Sequence, residues 1–130
     1  MPFICLLVWA LVELGIALNY YLDANHLANE GARIAAVVGD TDAAGAFKTR
    51  IQQQAPSELR DGGGSVTAPA KVCVSFPNGG TPQIGDPVKV TVSAPYKWIP
   101  FVGGGATTIS GSATMRLEQL PTYAAGCYQP

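Results

Sequence analysis

Charged side chains are scarce. They make up 13% of 130 residues, about half the share of an average soluble domain. Eight basic and nine acidic residues leave a net charge of −1, which excludes nucleic-acid binding driven by phosphate neutralisation. One histidine and three cysteines are present, and the carboxylates are scattered along the chain. No metal-ligand cluster, carboxylate pair or cysteine–histidine motif is legible. No enzyme, cofactor, metal or small-molecule substrate is therefore expected. Hydrophobic residues reach 48%, which excludes a disordered tail.

Lysine and arginine are missing altogether before Arg33, and the only side chain in residues 1–22 that is charged at neutral pH is Glu13. As a helix, those residues span about 33 Å, enough for a bilayer core of about 30 Å. A cleavable signal peptide would carry a basic n-region and a small-residue cleavage site. Here the apolar run continues into a helical pattern instead. A retained transmembrane helix is the first reading, ahead of a signal peptide or a buried helix of a soluble core.

The helical period continues to Val38. Asn19, Asp23, His26, Glu30 and Arg33 form one wet stripe, and Tyr20, Ala24, Leu27, Ala28, Gly31, Ala35 and Val38 form the other face. His26–Glu30 and Glu30–Arg33 are spaced to pair along the stripe. The small residues permit close approach to a sheet or another helix. A second helix is expected over 42–54, ended by Pro56, with Asp61-Gly-Gly-Gly as a flexible link. The period then becomes two. Residues 71–76, 87–94 and 108–118 alternate apolar and polar, as antiparallel strands with one buried face do. The fold class is α+β: a long, partly transmembrane N-terminal helix packed on a small antiparallel sheet of about three to four strands. Its parts are residues 1–22 in the membrane, 23–38 as the amphipathic half, and 39–130 as the head.

Cys73 and Cys127 fall in the head, where an oxidising exterior favours a disulfide. It would close a loop of about 55 residues, worth about 4 kcal/mol in the chain-entropy model. Cys5 reads as a small apolar filler. Glu13 either sets register by pairing with a neighbouring subunit, or lies near the outer interface or protonated. The segment Pro95–Val102 carries Tyr96, Trp98, Ile99 and Phe101. It is a subunit contact, a membrane-interface element, or a loop that folds back to complete the head's core.

Leu11–Val37, and above all NEGARIAAV at Asn29–Val37 after the VELG step at Val12–Gly15, resembles the N-terminal helix of the TadE-like family, minor pilins of Tad/Flp-type pili. SATMRLE at Ser112–Glu118 resembles the family's closing strand. VCVSFPNG at Val72–Gly79 and GDPVKVTVSAPY at Gly85–Tyr96 resemble its actinobacterial branch. The resemblance implies a pilin-like, bitopic subunit in the bacterial cytoplasmic membrane, with its head outside. The implied partners are other pilin subunits, in a homo- or hetero-oligomer, and the pilus assembly machinery, with incorporation into a surface filament or its priming. Helix packing would rest on Glu13, Ala24, Ala28, Gly31, Arg33 and Ala35. Relatives usually carry a basic, glycine-containing leader and a glutamate shortly after the cleavage point. This chain begins at Met1-Pro2, inside what would be the family's apolar core, and Glu13 matches the later acid of VELG. No cleavage site is carried over. The rival expectation is a membrane-anchored binding or adhesion module whose ligand site is the Tyr96–Val102 segment.

Overall fold

A computed structural model describes residues 1–37, 43–98 and 105–129. Helix α1 runs unbroken from Pro2 to Val37, about 54 Å at 1.5 Å per residue. Helix α2 covers Ala43–Gln54 and a short α3 covers Ser57–Asp61. Strands β1 (Lys71–Ser75), β2 (Pro87–Lys97), β3 (Ala106–Arg116) and β4 (Gly126–Tyr128) follow. They form one antiparallel sheet in the order β3-β2-β1-β4. The expected α+β arrangement, a long helix on a small antiparallel sheet, is the observed one.

Alternation builds the core. Val88, Val90, Val92, Ala94 and Tyr96 of β2 turn one way and are buried, joined by Val72 and Val74 of β1. Helix α1 covers that face with Ala17, Tyr20, Ala24, Leu27, Ala28, Gly31, Ile34 and Ala35, which fall on one side of the helix. Most are small, so the helix settles close to the sheet. Phe47 and Ile51 of α2 and Leu59 of α3 close the core from the side.

Several local expectations are revised. Pro56 ends α2 but also starts α3, where its missing N–H costs nothing. The three glycines after Asp61 are not a slack link. Gly62, Gly63 and Gly64 all adopt positive φ, and the turn is closed by paired hydrogen bonds between Gly63 and Val66 of 2.8 and 3.0 Å. Strand β2 does not stop at Ala94. Beyond Ser93 its β1-facing edge is taken by residues 65–67: the Thr67 N–H donates to the Pro95 carbonyl and the Lys97 N–H to the Ser65 carbonyl. Pro95 thus turns its missing donor toward this irregular segment and leaves the β3 ladder intact. Val38 and the expected start of the second helix at residue 42 lie outside the described residues, and β3 covers 106–116 instead of 108–118.

Candidate functional site

The outer half of α1 has apolar side chains on every side and nothing over most of them. Phe3, Ile4, Leu6, Leu7, Val8, Trp9, Leu11, Val12 and Leu14 are all exposed, as are Leu18, Tyr21 and Leu22 one to two turns further on. The helix is long and apolar enough to cross a membrane. Seating on the sheet begins before the apolar run ends, because Ala17 and Tyr20 are already buried. Tyr20 packs on Tyr96 with ring centroids 5.7 Å apart. The head therefore meets the helix inside the apolar segment, not beyond it.

The residues proposed for helix packing separate into three groups. Ala24, Ala28, Gly31 and Ala35 are buried, and the partner they approach is the chain's own sheet and α2. A Cβ on Gly31 would lie 3.0 Å from Ile51 and 3.1 Å from Val90. Arg33 projects into solvent, 4.0 Å from Glu30. Glu30 also accepts a hydrogen bond from Gln54 at 3.3 Å, joining α2 to α1. Glu13 is buried, at 4% exposure, one turn before Ala17. Exposed Cys5 sits among the apolar side chains of the first turns.

Tyr96 is not a loop residue. It lies in β2, fully buried beneath Tyr20, because strand alternation turns every second residue of β2 toward α1. Trp98 follows on the same face, half-buried and edge-on to Tyr96 at 5.1 Å. Its indole N–H donates to Thr107 Oγ1 at 2.6 Å. Ile99 and Phe101 lie outside the described residues.

Cys73 and Cys127 form a disulfide. They are directly opposed in the β1–β4 register, on the sheet face away from α1, so the bond holds the three-residue β4 at the sheet edge. Strand β4 and an aromatic cluster behind it have no sequence signal. Phe47, Phe76 and the C-terminal Tyr123 and Tyr128 come from three separate segments, and neighbouring ring centroids lie 6.0 to 6.3 Å apart. The Tyr123 hydroxyl donates to the Ala35 carbonyl of α1. Burial, then the neighbouring Tyr128, pushes its pKa up to about 12.

Among the described residues no group of three or more His, Cys, Asp or Glu is placed to hold a metal ion, and His26 is exposed on the wet stripe. No family model, curated protein or solved structure matches the chain. What stands out is a surface: a bare apolar helix rising from a disulfide-bonded head.

Proposed function

We propose that this chain is a non-enzymatic structural subunit of a bacterial surface filament, a TadE-like minor pilin of a Tad/Flp-type pilus. One observation carries the reading. Helix α1 is continuous, but its outer half is mostly bare and, apart from the buried Glu13, apolar, while its inner half is the backbone of the head's core. Such a helix is stored in a membrane and can later be packed against sister helices without unfolding the head. The head's disulfide suits an oxidising exterior. On this reading the chain crosses the cytoplasmic membrane once, head outside, with pilin subunits and the assembly machinery as partners. The resemblance at Leu11–Val37 supplies the family.

A membrane-anchored binding module with its ligand site at Tyr96–Val102 has less support, because Tyr96 is closed off under Tyr20. The discriminating experiment is shear fractionation with mass spectrometry of the N-terminal peptide. Recovery of the chain in sheared filaments supports the pilin reading. Confinement to the membrane fraction under conditions where filaments are shed overturns it.

A further inference from the structure

We propose that the end of the sheet beside Leu18 and Tyr21 is seated in the membrane interface, so that Trp98 and Ile109 contact the phospholipid that surrounds α1. The proposal rests on the membrane-anchored reading above and adds where the head sits.

Leu18 is 53% exposed, Tyr21 48% and Leu22 64%. A bilayer that receives the apolar half of α1 covers these last apolar side chains. Leu14, Leu18 and Tyr21 line a shallow groove of about 400 Å³ with Trp98, Thr108 and Ile109. The two walls stand at one level along the helix, so lipid that reaches Leu18 and Leu22 also reaches the sheet's end. The head cannot stand clear of the membrane while this turn of the helix is covered.

The chemistry of that end fits the position. No side chain that is charged at neutral pH occurs from Leu14 to Leu22, or from Trp98 to Met115. Both walls can therefore enter the interface without desolvating a charge, which would be costly. The nearest cation in the strand is Lys97, exposed at the end of β2, with a stem long enough to keep its ammonium in the headgroups. Trp98 and Tyr21 are the side chains that concentrate at membrane–water boundaries. The Trp98 N–H is already bonded to Thr107, so lipid around the indole leaves no donor stranded. The continuity of this wall with the bare helix favours lipid as the occupant over a protein partner.

The chain has two tryptophans, Trp9 and Trp98, which makes the test direct. The full chain is reconstituted at high lipid excess in phosphatidylcholine–phosphatidylglycerol vesicles. The phosphatidylcholine carries bromine either near the glycerol end or near the tail end of its acyl chains. W9F leaves Trp98 as the reporter for the head, and W98F leaves Trp9 as the reporter for the helix. The expected result is loss of Trp98 emission with glycerol-end bromine, weaker loss with tail-end bromine, and little loss with aqueous iodide. Quenching of Trp9 by bromolipid with Trp98 open only to iodide overturns the proposal and leaves the anchor standing. If neither tryptophan responds to bromolipid, the anchored reading falls as well.

Discussion

Gly111 of β3 lies against Ala24 of α1 with no room for a side chain: a Cβ there would stand 2.7 Å from the Ala24 carbonyl carbon and 2.6 Å from the Asn25 nitrogen. These are helix backbone atoms and cannot swing aside. The contact fixes how closely α1 rides on β3. G111A must lift the helix from the sheet, and overpacking of this kind costs about 1–3 kcal/mol or more. Gly31 is the contrast. Its neighbours are side-chain atoms of Ile51 and Val90, which can yield, and alanine gains about 1 kcal/mol of helix propensity. Denaturant titrations in detergent are expected to show G111A losing at least about 2 kcal/mol, while G31A stays within about 1 kcal/mol of the parent. Equal losses would mean that the helix–sheet spacing is not set at Gly111.

The disulfide acts at the sheet's edge. Strand β4 has three residues and pairs only with β1, too little ladder to hold itself. Serine at both Cys73 and Cys127 releases a loop constraint worth about 4 kcal/mol in the chain-entropy model. Hydrogen exchange is expected to rise first at residues 126–128, while the β2–β3 ladder stays protected near its former level. Simultaneous loss of protection across the whole sheet would show that β4 is part of the central cooperative unit.

How far the sequence could be read depended on how far local pattern reaches. The 36-residue α1 and the alternation of β2 and β3 repeat their signal many times, so their type and buried faces were legible from periodicity. The five residues of α3 and the three of β4 repeat nothing. Tyr96 completes the core, as one reading of its segment expects, but from within β2: Pro95 marks a strand end in a central strand, and only the irregular partner at residues 65–67 removes that conflict. The small residues of α1 announced close packing, yet nothing local distinguishes a sheet of the same chain from a sister helix. The cluster of Phe47, Phe76, Tyr123 and Tyr128 exists only after three distant segments meet.

Tyr96 offers a test of a polar atom in the core. Its hydroxyl is buried and meets no hydrogen-bond partner among the described residues. A buried hydroxyl without a partner costs about 1–3 kcal/mol of desolvation. Y96F keeps the ring beneath Tyr20 and removes that cost. Its unfolding midpoint is expected to match or exceed the parent's, by up to about 1 kcal/mol of stability. A clear loss of stability would reveal a bond to the hydroxyl and a polar role for this end of the core.

Tyr123 gives the fold a dependence on alkaline pH. Its hydroxyl donates to the Ala35 carbonyl, and its pKa in the fold is about 12, against about 10 for an unfolded tyrosine. Below about pH 10 both states keep the proton, and the residue's contribution is fully present. Between about 10 and 12 the unfolded chain ionises while the folded one does not, so the unfolded state binds fewer protons and stability falls as pH rises. Once the pH has passed the folded value, that contribution is lost. Y123F has no such proton. It is expected to be weaker than the parent near neutral pH by about 1 kcal/mol for the missing hydrogen bond. The difference should shrink as the pH climbs through 10 to 12. Every other side chain is common to the two proteins. Unfolding midpoints measured across this range for the pair therefore isolate one hydroxyl. Parallel curves would mean that Tyr123 does not lock the segment after β3 onto α1.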